Sequence, residues 1–94
     1  SGQPLFEKST RILAKMRIAT HGKIDLVGVG GIGSAADAYA KIQAGACAIQ
    51  LYSAMVFQGL SLVPKIAIGI DELLTKDGFD NLGQAIGRKS ENWL

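Results

Sequence analysis

The sequence predicts a parallel α/β fold, and a portion of one rather than a closed domain. Three observations predict it. Two short apolar runs, IDLVGVGG (24–31) and CAIQLYSAM (47–55), read as buried strands. Between them lies a stretch with helix signals at both ends, so the strands are joined by a crossover and run parallel. Finally, 48% of the 94 residues are hydrophobic. A chain this short leaves much of its surface exposed, so its apolar residues need partners beyond it.

Each element follows from local pattern. After SGQP, the residues Leu5, Ile12, Leu13 and Met16 recur at helical spacing, with a stop at Gly22, giving a helix from about Pro4 to Thr20. His21 is expected as its C-terminal residue, favourable to the helix dipole when protonated. Ile24, Leu26, Val27 and Val29 make the first strand. Ser34 and Asp37 form S-x-x-D, a capping-box variant that starts a helix over AADAYAKIQAG, ending at Gly45. The second strand follows. Ser61 then caps a helix whose stripe is Leu62, Val63, Ile66, Ile70, Leu73 and Leu74, with Pro64 in its first turn and Gly78 at its end. FDNLGQAIG reads as one more short helical turn. Two parallel strands complete no sheet, because parallel sheets are covered on both faces and flanked by further strands.

Composition excludes several function classes. Ten basic and eight acidic residues are dispersed, net charge +2, with no basic stripe for nucleic acid. Arg88 and Lys89 read as solvated tail residues. Cys47 is the single cysteine, so there is no internal disulfide, which fits a reducing compartment. It sits in an apolar run without a histidine nearby and reads as a buried structural thiol. No run reaches membrane-spanning length and no signal-peptide pattern occurs. The opening at Ser1 fits a fragment or a processed chain. His21 stands apart from any ligand set, so no metal site is expected. Asp71, Glu72, Asp77 and Asp80 read as solvated, Tyr39 as packing, and Trp93 is unassigned.

Gly28, Gly30 and Gly33 satisfy G-x-G-x-x-G. A dinucleotide site requires a strand before the glycines, a helix beginning within them, and an acidic residue about 20 positions later. The strand is there. The helix begins after the last glycine, and LYSAM holds no Asp or Glu. A second reading is a phosphate monoester site at two adjacent strand ends, as in the loops after strands 7 and 8 of (β/α)8 barrels. Gly30 and Gly31 would supply one side, their backbone open to an anion because they lack Cβ. The N–H groups of Tyr52 and Ser53, with the Ser53 hydroxyl, would supply the other. The plain alternative is that Gly30 and Gly31 only make a tight turn.

Several motifs in order carry a family resemblance. GVGGI, S-x-x-D-A-Y-x-K-I-x-A-G-A, IQLYSAMVFQG, the opening SGQPL and the closing GFDNLGQAIG together resemble the C-terminal part of dihydroorotate dehydrogenase, over essentially the whole chain. Q-L-Y-S resembles the quinone-linked, membrane-associated class. The resemblance implies that residues 1–94 are a C-terminal portion of a (β/α)8 TIM barrel, about strands 7 and 8 with their flanking helices. It implies a flavoprotein oxidoreductase of pyrimidine biosynthesis that uses FMN to oxidise dihydroorotate to orotate. Gly2 and Gly31 resemble FMN-contacting glycines, and Tyr52 and Ser53 the pair holding its phosphate. With Gly30 from the strand-end reading, these are the expected cofactor residues. Gly33 departs from the family's frequent serine, which is what completes the G-x-G-x-x-G.

The family's serine base, flavin-side lysine and substrate asparagines have no counterpart here, so no catalytic residue is expected in this chain and it should be inactive alone. The partners implied are the rest of the barrel and, through the complete enzyme, dihydroorotate and a membrane quinone, with the complete enzyme peripheral to the inner membrane. Two alternatives stand beside this: a Rossmann-type NAD-binding half domain, and a non-catalytic fragment that self-associates through exposed strand edges and apolar helix faces.

Overall fold

The computed structural model describes residues 3–51 and 62–94. The described elements run α1 (Gln3–Ala19), β1 (Val27–Gly28), α2 (Ala35–Ala44), β2 (Ala48–Ile49), α3 (Leu62–Lys76), α4 (Leu82–Ala85) and a 3-10 turn, Ser90–Trp93. The strands pair in parallel, Val27 opposite Ala48 and Gly28 opposite Ile49, with α2 as the crossover.

Helix boundaries fall where the local chemistry sets them. At α2 the Ser34 side chain accepts from the Asp37 N–H. At its other end the Gly45 N–H reaches back to the carbonyls of Lys41 and Ile42, with φ +147. A side chain on Gly45 would also meet Arg17, whose Cβ lies 2.6 Å from the ideal Cβ position. The turn after α1 places His21 at φ +54, in the left-handed region, with its N–H donating to Ile18 O. Asn81 caps α4 through the Gln84 N–H. Ser61 and the run 52–55 lie outside the described residues.

Within the described residues the first strand is shorter than its apolar run predicts, and 52–55 of the second run lie outside them. Among the described residues, ladder pairing covers two residues on each strand, with the Cys47 N–H donating to Leu26 O and the Gln50 N–H to Gly28 O at its margins. Burial on both faces is not met either: Ile24 and Val27 are each 54% exposed.

Three apolar clusters form the core. Leu13 and Ala14 of α1 pack on Ala44 and Ala46. Ile32 and Ala38 meet Leu62 and Ile66 of α3. Tyr39 and Ile42 meet Leu74 and Ala85. Ile49 of β2 touches all three, so the second strand is the hub on which α1, α2 and α3 converge. The face of α1 buried here is Phe6, Thr10, Leu13 and Ala14, while Leu5, Ile12 and Met16 remain exposed. The stripe read from the sequence thus mixes two faces, of which this chain covers one. In the α3 stripe Val63 is likewise exposed.

Several residues read as solvated or unassigned have definite contacts. The Tyr39 hydroxyl is not only packing: it donates to Asp77 Oδ2 at 2.6 Å, so Asp77 is bonded as well as solvated. Trp93 stands edge-on to Phe6, and its carbonyl accepts from Arg11 Nε. The Arg88 guanidinium lies 5.4 Å from the centre of the Phe79 ring. Cys47 is half-buried rather than buried, because it enters the ladder at its open margin.

Candidate functional site

The β1–α2 connection carries the candidate site. Gly30 and Gly31 follow the end of β1 with φ +102 and +72. Two successive glycines in this region turn the backbone sharply at the C-terminal end of a strand, a conformation that costs residues with Cβ strain. An ideal Cβ on Gly30 would lie 2.9 Å from Ser9 Oγ and 3.5 Å from Leu5 Cγ, so α1 backs this turn directly. The carboxyl end of β2 lies beside it in parallel register, and the chain continues from there into 52–61. Of the five residues expected to contact the cofactor, Gly30 and Gly31 are therefore placed together at a strand end, while Gly2, Tyr52 and Ser53 lie outside the described residues.

The start of α2 bears on which anion fits. A pyrophosphate in the dinucleotide mode would sit on the helix N-terminus. Here that position is filled by the chain's own groups. Asp37 Oδ2 accepts the Gly33 N–H at 3.1 Å, and Ser34 Oγ accepts the Asp37 N–H at 3.1 Å. A carboxylate in this place repels a phosphate and has already taken up a donor that would bind one. The helix begins after the third glycine, as the sequence indicates.

Beneath the turn lies a residue that motif reading missed. Lys41 of α2 is fully buried, at 0% exposure. Its Nζ donates to Ser9 Oγ at 2.5 Å and to Phe6 O at 3.4 Å, and lies 4.7 Å from the centre of the Phe6 ring. Burial holds its pKa down at about 8, partly opposed by the nearby Asp37 carboxylate. A signal existed in the sequence. Lys41 stands three residues after Ala38 and beside Ile42, on the apolar stripe of the helix, where a lysine must find internal partners. Tyr39 is shifted the other way, up to about 12, by burial first and then by its hydrogen bond to Asp77. Among the described residues no group of three or more His, Cys, Asp or Glu side chains is placed to hold a metal.

With this geometry in view, the relatives are informative. The family model described as dihydroorotate dehydrogenase matches residues 1–74. A dihydroorotate dehydrogenase (quinone) of Cereibacter sphaeroides is 54% identical over 94 residues, covering 100% of this chain and 27% of that protein. A mitochondrial dihydroorotate dehydrogenase (quinone) of Oryza sativa subsp. japonica is 47% identical over 87 residues, 93% of this chain and 19% of that protein. Among solved structures, ligand-free DHODH from Eimeria tenella superposes with a TM-score of 0.89 at 32% identity, over 95% of this chain and 25% of that one. The same enzyme in complex with ferulenol gives a TM-score of 0.88. The fold is thus a segment of the α/β fold of those structures. The chain belongs to the dihydroorotate dehydrogenase family, and it spans about a quarter of the length of the relatives it matches.

Proposed function

We propose that this chain supplies the strand 7 to strand 8 part of the (β/α)8 barrel of a quinone-linked dihydroorotate dehydrogenase, and there holds the phosphate of FMN. The observation that carries the reading is the Gly30–Gly31 turn, at positive φ, closing β1 beside the parallel end of β2. Barrels of this class bind phosphate at the loops following those two strands. The fit is steric: the turn is packed against Ser9 and Leu5 so closely that a Cβ at Gly30 would be crowded, so glycine keeps the backbone low and open to an anion. Gly30 and Gly31 hold one side of the phosphate, the N–H groups of Tyr52 and Ser53 the other, and Gly2 borders the flavin.

Bound FMN supplies the two-electron chemistry by which dihydroorotate becomes orotate and a membrane quinone is reduced. This chain's own part is to bind and orient. Its backbone N–H groups fix the phosphate, and the rigid α1–β1–α2 packing fixes the turn. By the family resemblance the serine base lies upstream of this chain, so the chain is inactive without the rest of the barrel. The apolar residues it leaves open, Ile24, Val27, Ile12 and Met16, are where the remaining wall packs. Among the described residues no helix is long and apolar enough to cross a membrane.

The NAD-binding alternative is disfavoured by Asp37, whose carboxylate accepts the Gly33 N–H at the start of α2 and would repel a pyrophosphate there. The test is Gly31→Val in the complete enzyme, with flavin content read from absorbance. Loss of FMN from a folded protein is expected. Full retention of flavin would overturn the assignment.

A further inference from the structure

The buried ammonium of Lys41 is more than the packing requires. Lys41 is among the largest fully buried side chains described, and both of its described hydrogen bonds go to α1. Burying a charged amine is costly, and an apolar side chain of similar length would fill the same space without that cost. The stem of the residue lies under β1: a Cβ on Gly28 would fall 2.9 Å from Lys41 Cβ. The head lies under the turn. Ser9 Oγ accepts from Lys41 Nζ and donates on to Leu5 O at 2.8 Å. That same Ser9 Oγ lies 2.9 Å from the Cβ position of Gly30, with Leu5 Cγ beside it at 3.5 Å. One side chain therefore touches the strand at Gly28 and, through Ser9 and Leu5, backs the turn at Gly30.

We propose that Lys41 is a positioning residue for the phosphate turn, acting through Ser9 to set the first turns of α1 against Gly30 and so fix the backbone that receives the phosphate. This rests on the FMN reading above. The groups around the ammonium define its chemistry. Among the described residues Asp37 on its own helix is the one titratable neighbour that acts on it; α1 presents Ser9, Thr10 and Phe6, and β1 presents Gly28, none of which titrates. Near neutral pH the amine is mostly protonated and donates to Ser9.

A loose turn weakens the hold on the phosphate and leaves the flavin ring contacts alone. The experiment therefore compares FMN with riboflavin, which lacks the phosphate. The complete enzyme is stripped of flavin, and both ligands are titrated by flavin fluorescence in the parent, Lys41→Met, Ser9→Ala, the double variant and Gly30→Val. The preference for FMN over riboflavin is expected to fall on the order of tenfold in Lys41→Met, equivalent to about 1.4 kcal/mol. Ser9→Ala should show the same direction, and the double variant no further loss, because the two residues act in series. Preference retained in Lys41→Met and Ser9→Ala but lost in Gly30→Val would overturn the role of Lys41 and leave the phosphate site standing. Preference retained in Gly30→Val would overturn both. A drop in thermal stability with unchanged preference marks a structural lysine only and also overturns the proposal. If Lys41→Met does not fold, Ser9→Ala decides alone.

Discussion

Helices α2 and α3 meet at one point where there is no room for a methyl group. An ideal Cβ on Gly69 would lie 2.3 Å from Ala35 Cβ. Apolar carbons rest at roughly 3.5–4.0 Å, so Gly69→Ala forces the two helices apart by more than about 1 Å. The atom in the way is a methyl fixed to backbone, not the end of a flexible chain. Overpacking of this kind costs about 1–3 kcal/mol, and an overlap this deep belongs near the top of that range. Alanine regains about 1 kcal/mol of helix propensity at the same site. The net expectation is a destabilisation of about 2 kcal/mol, or roughly 8–16 °C in the melting midpoint for a domain of this size. Ala35→Gly removes the obstructing methyl, at a cost of at most about 1 kcal/mol in the first turn of α2. The double variant moves one methyl from α2 to α3 and should melt close to the parent. The assay is thermal unfolding of the four proteins by circular dichroism, read as a coupling energy, so a difference in absolute stability between this chain and a longer one does not affect it. A coupling below about 0.5 kcal/mol, the usual limit of additivity, would refute the close approach.

Two further predictions concern pH. Lys41 has a folded pKa of about 8 against 10.5 unfolded, so between those values the unfolded state binds more protons and stability rises with pH. The gain is on the order of 2 kcal/mol, and Lys41→Met should abolish it and be more stable than the parent below pH 8; a pH-independent difference between the two proteins in urea unfolding would contradict this. Tyr39 acts oppositely: its folded pKa of about 12 exceeds the usual 10, so its contribution is present below pH 10 and lost as pH rises toward 12. Tyr39→Phe should cost about 1 kcal/mol at neutral pH, since exposed Asp77 re-solvates once its 2.6 Å bond is gone, and should remove the decline above pH 10; an unchanged alkaline limb would show that the decline has another source.

How much of this was legible in the sequence depends on the range of the interaction that decides each feature. The start of α2 was readable because Ser34 and Asp37 satisfy N–H groups within one turn, and that bond is formed. Parallel pairing was readable because a short crossover helix allows little else, and Val27 lies opposite Ala48 in that sense. The false dinucleotide motif could also be set aside locally, since Ser34 puts the helix start beyond the last glycine. Strand length was not readable. It depends on which neighbours a strand finds, and among the described residues β1 pairs only with β2, leaving Val27 exposed. Leu5, Ile12 and Met16 misled because the periodicity of α1 spans two faces, of which the described residues cover only the one bearing Phe6, Thr10, Leu13 and Ala14.

Lys41 shows the limit most clearly. Its spacing from Ala38 placed it on the apolar face, but nothing local said what its ammonium would meet. The answer lies 32 residues away at Ser9, a contact created only when α1 folds back onto the crossover helix. The same fold-back places Ser9 against Gly30. The Gly30–Gly31 turn is therefore a local sequence feature held in place by a non-local one, and a substitution at Ser9, far from any motif, should be felt at the glycines before it is felt in the helix that carries it.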